Sequence, residues 1–251
     1  MKLFIVISTV ISLLILEQTF PFFRYVNSFW TRISSNLGLG LLNAIISSLF
    51  TLLVTNYSTL TYPSQGILTK IDSPTIIVIV SILILDLYIY LWHRSMHIIP
   101  LAWRFHRVHH TDRSMNVSTA YRFHPIEIIS SSIPKLILIW WLGISIEIAI
   151  FYDLLFTVIV AIQHSNINIP EKVDRILSHL IITPNCHRIH HSQIVTETNS
   201  NYGSILTCWD SIFQTKKYHP NIIATQLGVN DENRELNIYQ LLKLPGFFHS
   251  K

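Results

Sequence analysis

Charge is what this 251-residue chain has least of. Asp, Glu, Lys and Arg make up 13% of it, against about 25% in a soluble domain. That shortage argues against an ordinary water-facing globule. Glycine is also sparse, at 7 residues, which excludes a low-complexity chain. There are only two cysteines, Cys186 and Cys208. Both follow the last apolar block and are expected as unpaired thiols on a reducing side. Net charge is a modest +4. The arginines gather beside one apolar run and have no basic stripe elsewhere, so nucleic-acid binding is not expected.

Apolar residues are abundant, at 50%, and they come in runs. Met1 to Phe20 reads "MKLFIVISTVISLLILEQTF", and "EQTFPFFRYV" follows without a small-residue cleavage site. A retained membrane helix is expected, with a signal peptide as the alternative. Leu37–Thr55 and Pro74–Trp92 are each about 19 residues, near the ~20 that cross a hydrocarbon core. The fourth block, Ile133–Ile162, has Gly143 near its middle. As one straight helix it would be ~45 Å long, too long for an ordinary span. Folding at "WLGIS" turns it into two short arms, a shallow hairpin or a pair of steeply tilted helices; the hairpin is expected, because it brings the histidine clusters to one side. Between the second and third runs, Thr55–Ser73 carries Pro63 and Gly66 and reads as a loop. After Gln163 there are only short helical signals, such as "PEKVDRILSHLI", opened by Pro170 and Glu171. The fold expected is all-α, an integral membrane helical bundle with a histidine-rich di-metal cap. Its parts are N-terminal helices over 1–73, a catalytic region over 74–215 and a tail over 216–251.

Arginine placement gives an orientation. Arg94, Arg104, Arg107, Arg113 and Arg122 follow the third run, and Arg24 and Arg32 lie in the first connection. Lys2 and Lys70 alone fall on the other side. The positive-inside rule makes the arginine side cytoplasmic. The chain is expected as a multi-pass membrane protein with its histidines and C-terminus on that side.

Thirteen histidines occur, and most are clustered. "WHRSMH" places His93 and His97 one helical turn apart at the end of the third run. "HRVHH" gives His106, His109 and His110, and "HRIHH" repeats the pattern as His187, His190 and His191. Each triad spans about one turn and can aim three imidazoles at one locus. Neutral imidazole is the commonest protein ligand for metals. Three packed imidazoles without a metal would repel one another on protonation. His164 sits where the long block returns and is expected as a further ligand. His124, in "RFHPIE", is either a ligand or a group supporting one. His179, His219 and His249 stand alone.

Asp86 lies deep in an apolar run, two turns before His93, where an acid needs a partner. That partner is either the outer N–H of a metal-bound histidine or a hydroxyl on a neighbouring helix. Asn166 and Asp210 are further candidates for outer support. Nine imidazoles exceed what one zinc ion takes, so two metals are implied. All-nitrogen ligation suits Fe, Zn, Cu or Ni. A zinc hydrolase of the HExxH kind lacks its glutamate here, since His93-Arg-Ser-Met-His97 carries none.

HxxxH, then HxxHH, then a distant HxxHH resembles the fatty acid hydroxylase/sterol desaturase superfamily. The flanks "DLYIYLWHRSMH", "WRFHRVHHTD", "RFHPIE" and "CHRIHHS", then "TNSNYGSILTCWDSIF", share the resemblance, from roughly Ser81 to Thr215. The three-residue gap in the first box is similar to the sterol and alkylglycerol branch. The resemblance implies a membrane di-iron enzyme that uses O2 and external electrons to hydroxylate or desaturate a lipid C–H bond. The lipid would be of sterol, alkylglycerol or fatty acyl type. His93, His97, His106, His109, His110, His187, His190 and His191 would hold iron, with His164 matching the isolated histidine and zinc a possible substitute. No haem-binding or dinucleotide-binding segment is seen, so a separate cytochrome b5, ferredoxin or reductase is expected to deliver electrons. The rivals are a histidine-rich membrane metal transporter and a membrane zinc hydrolase.

Overall fold

The computed structural model describes residues 2–25, 29–61, 66–218, 222 and 225–247. Pro63, His219 and His249 lie outside the described residues. Among the described residues the secondary structure is helical, with isolated bridges and no strand. The all-α expectation holds. Among the described residues, four helices are long and apolar enough to cross a membrane: α1 (Lys2–Thr19), α3 (Pro74–Ile98), α5 (Pro125–Leu142) and α6 (Ile146–His164). Their large apolar side chains face outward, among them Ile7, Ile11, Ile76, Ile137, Trp140, Trp141, Ile150 and Phe151. So much exposed apolar surface needs lipid to cover it.

The second helix, α2 (Phe29–Thr61), is longer than the Leu37–Thr55 run and more polar. Its apolar stretch is Ile33–Leu49, and it is not among those four. The first part of the segment expected as a loop, Thr55–Thr61, is therefore helix. The polarity has a structural use. Buried Asn36 donates to Asp112 Oδ2 at 2.9 Å and to Ser118 Oγ at 3.0 Å, and Asn43 donates to the Phe123 carbonyl. One end of α2 is thus tied to the loop after the first HxxHH box. Gly66, the next described residue, packs against Gly143.

The long apolar block does fold back. It breaks at Gly143, whose φ of 73° is left-handed. Ile144 N–H bonds to Ile139 O at 3.0 Å, closing a Schellman-type end. Ser145 then caps α6. The arms are full-length, not short. The first begins at Pro125 instead of Ile133, because Ser130, Ser131 and Ser132 turn their hydroxyls back onto helix carbonyls and do not interrupt it. The bend is tightly packed: a Cβ on Gly66 would stand 2.3 Å from the Gly143 backbone.

These turns set the layout. α3 rises to the histidine side, α5 descends from it and α6 returns, so all histidine boxes share one end of the bundle. Pro100 opens α4 (Pro100–His110) and holds Ile99 extended (φ −85°, ψ 115°). α3 therefore stops just after His97, and the chain turns so that the first HxxHH box faces the HxxxH pair. The second HxxHH box lies on a short helix, α8 (Pro184–His190), capped by Thr183. Between them come α7 (Glu171–Leu177), and after them α9 (Val195–Thr198) and α10 (Cys208–Ile212). The tail returns through α11 (Ile238–Lys243) and packs Leu236, Leu241 and Leu244 against Leu39 of α2 and Val108 of α4. Cys186 and Cys208 are unpaired.

Candidate metal centre

Nine histidines converge at the shared end of the bundle, in two sets. His93, His97, His106, His110 and His190 form one, and His109, His164, His187 and His191 the other. Within each set the donor atoms lie within 4.8 Å of one another. Each HxxHH triad is split between the sets, contrary to the expectation of one locus per triad. From the first box, i and i+4 (His106, His110) join i+3 of the second (His190). From the second, i and i+4 (His187, His191) join i+3 of the first (His109). Helical geometry gives the reason. At ~100° per residue, i+4 lies ~40° to one side of i and i+3 lies ~60° to the other. Two facing helices with this spacing interleave their side chains.

The sets adjoin. The His110 and His191 rings stack at 4.3 Å, and His187 and His190 stack at 5.2 Å. Ring nitrogens face ring nitrogens: His110 and His106 Nε2 at 3.3 Å, His164 and His109 at 3.0 Å, His187 and His164 at 2.9 Å, His191 and His187 at 3.2 Å. Two nitrogens each ~2.1 Å from one ion, at tetrahedral or octahedral angles, stand ~3.0–3.4 Å apart. The Nε2 atoms of His93 and His190 are buried and have no hydrogen-bond partner. The donor set, its spacing and these orphaned atoms fit metal ions.

The outer nitrogens explain why the inner ones are free. His106 Nδ1 lies 2.7 Å from Glu127 Oε1, His93 Nδ1 2.8 Å from Tyr202 O, His190 Nδ1 2.7 Å from Ser200 O and His164 Nδ1 2.7 Å from Val160 O. Each such acceptor receives a hydrogen bond from Nδ1–H, which keeps the proton on Nδ1 and leaves Nε2 as the lone-pair donor. Burial holds the imidazoles of His109, His110, His187, His190 and His191 well below their ordinary pKa, and neighbouring histidines push the same way. They are neutral at pH 7, as ligation requires.

The other candidates sit elsewhere. His124 is outside both sets: it caps α5, its Nδ1 accepting from Ile126 N–H, and its Nε2 lies 3.2 Å from Leu242 O. Both its nitrogens are thus engaged with backbone and not with the nine histidines. Asp86 contacts no histidine. It accepts from Trp209 Nε1 at 2.9 Å, Leu206 N at 3.2 Å and Tyr152 Oη at 3.3 Å. Of the two partners foreseen, the hydroxyl on a neighbouring helix is the one present. Asn166 ties the chain after His164 to Phe22 and Phe23, and its own N–H goes to Glu17. Asp210 acts one bond further out. It holds the N–H groups of Tyr202 and Gly203, each at 2.8 Å, and so fixes the carbonyl that His93 uses.

Sequence reasoning missed Glu127, Glu17 and the carbonyls of Ser200 and Tyr202. Glu127 sits in the first turn of α5, where an acid looks like ordinary dipole compensation. Glu17, 2% exposed, accepts from Val117 N and Asn166 N and joins α1 to the cap. Backbone carbonyls leave no residue signature. The nearest hint is Asn201, whose left-handed φ of 51° Asn tolerates.

A helical membrane bundle capped by two adjoining all-imidazole sets defines the class of protein. The chain belongs to the fatty acid hydroxylase family, whose model matches residues 78–215. It is 29% identical over 153 residues to an ornithine lipid hydroxylase of Rhizobium tropici, covering 61% of this chain and 45% of that protein. It is 29% identical over 131 residues to human alkylglycerol monooxygenase, covering 52% and 28% respectively. A fatty acid hydroxylase of Lecanicillium sp. is 27% identical over 184 residues, covering 63% and 47%. The chain spans less than half the length of these relatives. No solved structure matches.

Proposed function

We propose that this protein is a membrane-bound di-iron oxidoreductase that hydroxylates or desaturates a C–H bond of a lipid. The observation that carries the reading is the pair of adjoining, buried, all-imidazole sets at the end of an apolar bundle. His93, His97, His106, His110 and His190 would hold one iron and His109, His164, His187 and His191 the other. Bound iron would supply O2 activation, which protein side chains alone do not provide. The chain's own residues keep the imidazoles of His109, His110, His187, His190 and His191 neutral by burial, direct the lone pairs of His106, His164, His190 and His93 inward through Glu127, Val160, Ser200 and Tyr202, and shield the site from water. Hydroxylation puts one oxygen atom into the C–H bond and releases the other as water, taking up two electrons and two protons. Desaturation removes two hydrogens from adjacent carbons and passes them, with two external electrons and two protons, to O2, which leaves as two waters. The electrons come from a separate donor such as cytochrome b5, a ferredoxin or a reductase. The histidine end faces the cytoplasm, as the arginines flanking α3 and α4 favour.

The test is purification in detergent, metal analysis, and reaction with 18O2, a reductant and candidate lipids of ornithine, alkylglycerol and fatty acyl type. About two irons per chain and an O2-dependent alcohol or alkene are expected. A metal-free chain, or turnover that ignores O2, rejects the reading. Metal flux across vesicles without lipid oxidation favours a transporter.

A further inference from the structure

The strap from Ser200 to Thr215 runs down α3 in three rungs. His93 Nδ1 meets Tyr202 O at 2.8 Å, Tyr90 Oη lies 2.8 Å from Thr215 Oγ1, and Asp86 accepts from Leu206 N and Trp209 Nε1. From His93 to Asp86 is two turns, ~10 Å of helix axis. Asp86 stands midway along the 25-residue α3, so Leu206 lies level with the apolar interior of that span. Leu180 shares the level. Thr207 N donates to Leu180 O at 3.2 Å, Ile182 N to Ile205 O at 3.0 Å, and Ile181 bridges antiparallel to Leu206.

Two independent features of this region suit lipid. Its backbone N–H groups at Leu206, Thr207 and Ile182 are all satisfied internally, as hydrocarbon depth demands. Three large apolar side chains point outward from this region, Ile176 at 69% exposed, Leu180 at 70% and Ile212 at 62%, beside the smaller exposed polar groups His179 and Ser211. Exposed Lys172 and Arg175 on α7 are long enough to reach phosphate headgroups from beside that apolar face.

We propose that α7, the turn at Leu180 and α10 form a wedge seated in the acyl layer of the leaflet on the histidine side. The cap is thus partly sunk in the bilayer, and Asp86 is the buried acceptor that pins the wedge to α3. This rests on reading the chain as a membrane protein, and the test separates the two.

The iron-loaded chain is placed in phosphatidylcholine vesicles in a Cys208→Ser background; Cys186, 4% exposed, stays in place. Nitroxides are attached at Leu180→Cys, Ile176→Cys or Ile212→Cys. Ile150→Cys on the outer face of α6 is the lipid reference, and Asn230→Cys in the tail is the water reference. Retained iron content confirms folding of each variant, and three wedge positions guard against loss of one. The wedge nitroxides are expected to follow Ile150, colliding more with oxygen than with a soluble nickel chelate. If they follow Asn230 while Ile150 stays lipid-like, the wedge is overturned and the membrane reading stands. If Ile150 also follows Asn230, the membrane reading falls and the wedge with it.

Discussion

Glu127 places its Oε1 2.7 Å from Nδ1 of His106, and both side chains are sealed from solvent. The carboxylate comes from the first turn of α5 and the imidazole from the end of α4. The contact therefore locks a histidine of the five-membered set to the start of the hairpin. Outer partners of this kind typically contribute 10–100-fold to metal affinity. Glu127→Ala is expected to weaken one of two metals by about that factor. Glu127→Gln keeps an acceptor and should fall between. Competition with a chelator reads both, and equal affinity in all three proteins would contradict the assignment.

The split of each HxxHH box has a direct consequence for metal stoichiometry. His109→Ala with His187→Ala crosses the boxes but removes two of the four ligands in one set. That double variant should keep about one ion per chain, held as tightly as in the parent. His109→Ala with His110→Ala stays within one box but takes one ligand from each set. It should weaken both ions together. Metal analysis after graded chelation distinguishes the patterns; if the same-box pair spared one ion, the interleaving would be wrong.

Asp86 offers a stability test. Its two oxygens serve three donors, Trp209 Nε1, Leu206 N and Tyr152 Oη. Asp86→Ala strands all of them in the interior, at ~1–3 kcal/mol each. The variant should unfold at a much lower temperature or fail to accumulate. Trp209→Phe removes one donor together with its ring N–H, and should cost only about 1 kcal/mol. Thermal unfolding in detergent ranks them, and a mild Asp86→Ala would mean the strap is held by other contacts.

Eight of the nine histidines could be picked from their spacing, because helical periodicity maps directly onto a shared face; His164 was picked from its place where the long apolar block returns. The bend at Gly143 was legible for a similar reason: a 30-residue apolar block cannot lie in one bilayer crossing. The allotment of His109 and His190 to opposite sets was not legible, because it depends on how α4 and α8 are rotated against each other. Nor were two of the three partners of Asp86, Leu206 and Trp209, which lie some 120 positions later in sequence. The polar face of α2 was hidden because Asn36 and Asn43 matter only once the loop at Asp112 and Phe123 is beside them. His124 misled because a cap and a ligand use the same nitrogens.

The Gly66–Gly143 contact is a second stability test, at the far end from the metals. A methyl at position 66 would meet backbone, which cannot swing aside. Overpacking of this kind costs typically 1–3 kcal/mol. Gly143→Ala adds the left-handed strain of ~1–2 kcal/mol to a Cβ 2.9 Å from Gly66 Cα. Both should lower the unfolding temperature while leaving metal stoichiometry unchanged, since the bend lies at the opposite end of α5 and α6. Loss of metal at full thermal stability would show that the hairpin couples to the centre in some other way.

The buried histidines also predict how the metal-free protein responds to acid. His109, His110, His187, His190 and His191 have folded-state pKa values well below 6.5 because burial disfavours their charged forms. In the unfolded chain they titrate near 6.5. Below that pH the unfolded state binds more protons than the folded one, so stability rises with pH there and levels off above it. The apo-protein should therefore unfold at nearly the same temperature at pH 7.5 and 8.5, and at a clearly lower one at pH 5.5. Bound metal holds the same nitrogens against protons, so the loaded protein should lose less over that interval. Scanning calorimetry on both forms measures the difference, and an apo-protein as stable at pH 5.5 as at 7.5 would mean that these imidazoles are not held neutral by burial.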